Sequence, residues 1–264
     1  ICIEANRVDF DGIFAYNAAD YLPRVSLTNK LLSDLYKYGE ANISGDAIAD
    51  SLHEMLSESS RHDGEVATDP ELANLAATMA KMINGNLSAN KKICDPAAGS
   101  GSLISSAMKV FNINGNQVVA NDINPKLIEL LSLRLGLNNP ITINKSNAPV
   151  VTTKDILSFV PSDFNDIEVV LLNPPFVAGI NCVNRKAPFI SFIQRTKGSP
   201  SDTGVGQQNL GAVFLETVCC LMPTGTTIVC IFPKAQLVER GNEAIAFREM
   251  LLNIFGLQCI FNYP

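Results

Sequence analysis

Lys92-Ile93-Cys94, then Asp95-Pro96-Ala97-Ala98-Gly99-Ser100-Gly101-Ser102, then Leu103 to Phe111, read as a short strand, a glycine turn and a helix. Gly99 and Gly101 let the backbone approach a ligand closely and take positive φ where required. The N–H groups that open the helix can receive a carboxylate or phosphate. The alternation continues outward from this turn. Gln117 to Ala120 reads as a strand, Pro125 to Leu135 as a helix, Ile141 to Asn144 as a strand, and Val169 to Leu172 as a near-continuous apolar strand. Ala212 to Met222 is a predicted helix, Thr226 to Phe232 a strand, Ala244 to Phe255 a helix and Gln258 to Phe261 a strand. Apolar strands alternating with helices predict a mostly parallel sheet with helices on both faces. Ligands in such folds bind at the carboxyl ends of the strands.

Upstream, residues 1–88 read as a smaller helical region preceding an α/β core over 89–264. Leu27, Leu31, Leu32 and Leu35 recur at helical spacing. A second helix runs from Asp46 to Ser57, with Ser44 as its cap and Ile48, Leu52, Met55 and Leu56 as its apolar stripe. A third opens at Asp69-Pro70, continues through Leu72, Leu75, Met79 and Met82, and ends at Gly85. The stretch between Phe176 and Leu210 fits neither element and reads as a long loop.

The 264 residues are 47% apolar and 17% charged, enough to bury a sizeable core. No run is apolar for long enough to cross a bilayer, and no signal peptide is visible, so a cytoplasmic location is expected. The chain opens at Ile1 and stops at Pro264 straight after an apolar run, which reads as a piece of a longer protein, truncated at the C-terminus too. Seven scattered cysteines without C-x-x-C spacing, and two histidines, argue against a zinc site. The net charge of −6 argues against a free-standing nucleic-acid binder.

Asp122, in Asn121-Asp122-Ile123-Asn124-Pro125, stands at the tip of the second strand, where an acid can accept both hydroxyls of a ribose. Glycine turn and acid together suit NAD as well as S-adenosylmethionine. Asp155-Ile156 offers a carboxylate for an adenine amine and an apolar side chain for its ring, and equally suits a helix cap. Asn173-Pro174-Pro175-Phe176 decides between the cofactors. Two prolines leave that strand end rigid and without donors. The Asn173 side-chain oxygen and the Pro174 carbonyl remain as acceptors. Two hydrogen bonds accepted from an aromatic amine draw its lone pair out of ring conjugation, ready to attack a methyl sulfonium in line. Phe176 can stack on the amine's ring. Hydride transfer finds no acid or base here.

With these motifs the sequence resembles the N6-adenine DNA methyltransferases, most of all the methylation subunit of type I restriction–modification systems. Gly45 to Leu56 is similar to that family's helix before the core, and Gly64-Glu65-Val66-Ala67-Thr68-Asp69-Pro70 to its cofactor motif. Asp95 to Ser102, Asp122, Asp155 and Asn173 to Phe176 match its cofactor and catalytic motifs in order. Ala212 to Glu216, Met222 to Gly225, and Phe232-Pro233 with Arg248 resemble the later ones.

The resemblance implies a Rossmann-like, S-adenosylmethionine-dependent fold. It implies cofactor contacts from Thr68, Asp95, Pro96, Ala97, Gly99, Gly101, Asp122, Ile123, Asp155 and Ile156, and catalysis by Asn173, Pro174, Pro175 and Phe176. One residue more than the family's spacing leaves Thr68 and Asp69 both as candidates for the cofactor's methionine end. The implied partners are DNA with a flipped target adenine, a specificity subunit or C-terminal target-recognition domain, and a restriction subunit. The alternatives keep the mechanism on a protein glutamine or RNA base amine, or make the chain a non-catalytic methylase-like scaffold. Arg185, Lys186, Arg195 and Lys197, interleaved with Phe189 and Phe192, suggest a DNA-facing lid or a solvated loop pinned by its aromatics.

Overall fold

In a computed structural model, residues 45–47, 49–51, 53, 68–138, 146–176, 180–204 and 210–263 are described. Five strands, β1 (Lys92–Asp95), β2 (Val118–Asn121), β3 (Val150–Thr152), β4 (Ile167–Leu172) and β5 (Thr227–Cys230), form one parallel sheet. Their order is β3-β2-β1-β4-β5. The parallel sheet is the expected one, and its order is Rossmann-like. Direction reverses at β1, so the crevice between the ends of β1 and β4 is where a ligand fits.

Side-chain alternation on β4 shows why the sheet needs two helical layers. Val169 and Leu171 point into one core cluster, while Val170 and Leu172 point into another, and all four are fully buried. The first face is covered by α1 (Pro70–Asn84), α2 (Ser102–Phe111) and α3 (Pro125–Asn138). The second is covered by α5 (Leu210–Leu221) and α7 (Asn242–Asn253). Between them in sequence lie α4 (Ile180–Lys197) and the short α6 (Ala235–Val238).

α1 starts and ends where its sequence predicts. Asp69 accepts hydrogen bonds from the N–H groups of Glu71 and Leu72, Pro70 fills the first turn, and Gly85 stops the helix at φ 78°. Its buried face differs from the expectation. Ala73, Ala76, Ala77 and Ala80 face the core, while Met82 is 80% exposed. The small alanine stripe lets α1 lie close against α2 and share the sheet's first core cluster.

Three further expectations are corrected. Residues 180–197 form a helix despite Pro188, because Phe189, Phe192 and Ile193 bury against α5 and outweigh the one missing hydrogen bond. Nor are the four cations of that segment all exposed. Lys186 is buried, and Lys197 pairs with Asp202 and, at 3.6 Å, with Glu216; of the four, Arg185 and Arg195 are exposed. Gln258 to Phe261 is exposed coil, with no strand beside it among the described residues to complete a ladder. The third strand is Val150–Thr152, while the expected strand at 141–144 lies outside the described residues. So do the predicted helix at 27–35, Ser44, and the stripe of Ile48, Leu52, Met55 and Leu56.

Candidate active site

The turn after β1 is built from its own backbone requirements. Gly99 and Gly101 stand at φ 54° and 86°. A Cβ on Gly99 would meet nothing, so its glycine serves conformation. On Gly101 a Cβ would lie 2.9 Å from the Leu131 side chain, so that glycine also serves the approach of α2 to α3.

Asp122 holds the turn from β2. One carboxylate oxygen accepts from the Gly99 N–H at 2.8 Å and the other from the Asn124 N–H at 2.8 Å. Asn121, which no sequence motif marks, ties three strand ends together. Its amide donates to the Pro96 and Lys154 carbonyls at 3.2 and 3.0 Å and accepts from the Thr152 hydroxyl and the Lys154 N–H. The available signal is an Asn at a buried strand tip, where an amide must satisfy both its ends.

Asp95 is fully buried. One oxygen accepts from the Ala97 N–H at 3.1 Å, and the other has no hydrogen-bond partner among the described residues. Burial pushes its pKa well above the usual carboxylate range, and the nearby charge of Asp122 adds to the rise against the Ala97 bond.

At the end of β4 the Asn173 amide nitrogen donates to the Thr68 hydroxyl at 3.0 Å. That bond turns the amide so that its oxygen serves as acceptor. Thr68, Asp95, Ala97, Gly99 and Asn173 line one cavity, together with His53, Ser100, Ser102 and Leu103. Asp69 is instead spent on capping α1. Pro174 is buried, and Pro175 and Phe176 are half-buried. The Phe176 ring meets Phe232 edge-on at 5.8 Å, and Phe232 meets Phe247 at 4.9 Å. Gly211 leaves room for Phe176, since a Cβ there would stand 3.2 Å from its ring.

Some expected residues are not brought into this cavity. Ile123 is 68% exposed. Ile156 is buried in the second core cluster, and Asp155 accepts from the Leu157 N–H, capping the turn Ile156–Ser158. Among the described residues no helix is long and apolar enough to cross a membrane, and no three His, Cys, Asp or Glu converge as metal ligands.

A family model described as N-6 DNA Methylase matches residues 40–264. No curated protein matches. Among solved structures the type IIG restriction endonuclease BpuSI is 39% identical at a TM-score of 0.78, over 87% of this chain and 27% of that one. The methyltransferase subunit of a type I restriction–modification system from Streptococcus thermophilus is 20% identical at 0.54, over 80% of this chain and 44% of its own. A modification subunit of a putative type I restriction enzyme from Vibrio vulnificus YJ016 is 15% identical at 0.54, over 86% and 44%. The two type I subunits share the fold with this chain. The chain spans less than half the length of each of the three.

Proposed function

The chain belongs to the N-6 DNA methylase family, and we propose that it transfers a methyl group from S-adenosylmethionine to the N6 amine of adenine in DNA. The observation that carries the reading is the Asn173 amide at the end of β4, which donates its N–H to the Thr68 hydroxyl, keeps its oxygen as the acceptor end, and lines the cavity that also holds Thr68, Asp95 and Gly99.

The residues present fit the cofactor. The buried oxygen of Asp95, without a partner among the described residues, calls for a cation, which the cofactor's ammonium is. Gly99 opens onto free space, and Asp122 stands beside it for the ribose hydroxyls. Thr68, Pro96, Ala97 and Gly101 complete the proposed contact set, whereas Ile123 is exposed, Asp155 caps the turn Ile156–Ser158 and Ile156 is buried in the second core cluster, so none of these three lines the cavity. When bound, the cofactor supplies a methyl group made electrophilic by its sulfonium. Asn173 and the Pro174 carbonyl accept the two N–H groups of the target amine and orient its lone pair. Phe176, backed by Phe232, offers a face for the adenine, which must leave the duplex to reach it.

The chain's share of its neighbours' lengths leaves room for other parts. We place it within a restriction–modification system, beside a specificity subunit or a target-recognition domain and a restriction subunit. Such parts supply the basic DNA-gripping surface that a net charge of −6 does not. The expected setting is the cytoplasm.

The test offers labelled S-adenosylmethionine with unmethylated DNA, RNA or protein to the full-length enzyme. Label should appear as N6-methyladenine in DNA. Asn173→Ala should cut transfer by about 10³-fold or more, roughly 4 kcal/mol of barrier, with cofactor affinity nearly unchanged. Transfer to RNA or protein alone overturns the reading.

A further inference from the structure

α3 buries Leu127, Ile128, Leu131 and Leu135, as an apolar helix face should. Arg134 shares that burial at 1% exposure, a costly place for a cation. Its guanidinium donates to the Asp46 carboxylate at 3.2 Å, to the Asp50 carboxylate, and to the Ser100 hydroxyl at 3.3 Å. Asp46 also accepts from the Ser105 hydroxyl at 2.8 Å and from Lys109. Burial works to raise the Asp46 pKa, but the Lys109 and Ser105 bonds outweigh it and hold the group ionised.

Residues 45–47, 49–51 and 53 are helical. Asp46, Asp50 and His53 follow one another by four and then three residues, so one helix face carries all three. His53 is 3% exposed and lines the cavity beside Ser100. Ser100 lies between the two glycines of the turn. A planar guanidinium can bind two carboxylates and a hydroxyl in a fixed fork, which a lysine ammonium cannot do.

We propose that Arg134 is a positioning residue for the cofactor cleft: it clamps the helix carrying Asp46, Asp50 and His53 onto the glycine turn and holds His53 in the cleft wall. This rests on the reading of that cleft as the S-adenosylmethionine site. The clamp sets how well the cleft closes on the cofactor and leaves the acceptor side at Asn173 untouched.

The experiment uses the full-length protein with Arg134→Lys and Asp50→Asn. Both should raise the cofactor KM about tenfold, with kcat at saturating cofactor and the KM for DNA within about twofold of wild type. Cofactor should slow amide hydrogen exchange over residues 45–53 in wild type and do so less in Asp50→Asn. Folded variants with an unchanged cofactor KM overturn the clamp. If both variants fail to fold, wild-type exchange decides: protection of 45–53 by S-adenosylmethionine supports the clamp, and no protection overturns it. A wild type that binds no S-adenosylmethionine overturns the reading of the cleft itself, and the clamp with it.

Discussion

Asp95 at the tip of β1 and Glu216 within α5 are both fully buried carboxylates, and the protein treats them in opposite ways. Glu216 is saturated. It accepts from the Ser201 and Thr203 hydroxyls at 2.7 Å each and from the Asp202 and Thr203 N–H groups at 2.9 and 3.0 Å, with Lys197 at 3.6 Å. Asp95 accepts one bond and keeps one oxygen without a partner among the described residues. Burial pushes both pKa values up; at Glu216 the hydrogen bonds win and the net shift is down, whereas at Asp95 it stays up. A buried charge that is fully bonded is an anchor, here pinning the turn after α4 onto α5. A buried carboxyl left half-bonded is held ready for something else.

The largest effect on this contrast should come from the anchor. Glu216→Ala leaves the donors of 201–203 and Lys197 facing an empty space, at a cost of about 3 kcal/mol. For a domain of this size that lowers Tm by roughly 6–12 °C. Cofactor affinity should stay within about twofold. Thermal melting and calorimetry together check it; a loss of affinity as large as the loss of stability would erase the division between the two carboxylates.

Asp95→Asn should do the reverse. Tm of the ligand-free protein should hold or rise, since a neutral amide replaces a buried carboxyl that is costly to ionise. Cofactor binding should weaken by about 1.5–3 kcal/mol, the scale of a hydrogen bond to a charged group. If Asp95→Asn binds the cofactor as tightly as wild type, Asp95 is another anchor.

How much of this was legible in the sequence differs between these regions for physical reasons. The β1 turn and the end of β4 were readable because glycine and proline impose local backbone rules, and Asp95, Asp122 and Asn173 stand beside them. The alternation of apolar strands likewise gave the parallel sheet. α4 was missed because Pro188 and a polar, basic sequence mask a helix that tertiary burial of Phe189, Phe192 and Ile193 sustains. The alanine face of α1 was missed because periodicity marks large apolar residues, while close helix contact selects small ones. Arg134, Asn121 and the Glu216 anchor depend on partners distant in sequence. Arg134 meets acids 88 and 84 residues upstream, and no local pattern records that. The segment 258–261 shows the converse, a strand-like pattern without a neighbouring strand among the described residues.

The smallest expected effect is in pH, and there the two carboxylates should pull in opposite directions. Asp95 has a folded pKa above its ordinary 3.8. Between the two values the unfolded chain has given up the proton that the native state still holds. Stability of the ligand-free protein therefore falls as pH rises through the window between 3.8 and the raised value. Glu216 has a folded pKa below its ordinary 4.5, so its contribution is present above 4.5 and is lost as pH falls through the folded value. Tm measured against pH should show both slopes in wild type, and Asp95→Asn should flatten only the one above 3.8. The cofactor sharpens the contrast further. An ammonium against Asp95 favours the ionised carboxylate, so binding within that window should release up to about one proton per cofactor. Calorimetry in buffers of different ionisation enthalpy reads that proton directly. Glu216, already ionised and bonded, should release none. Equal proton release by wild type and Asp95→Asn would mean that the proton comes from elsewhere and that the half-bonded carboxylate is not where the cofactor's charge sits.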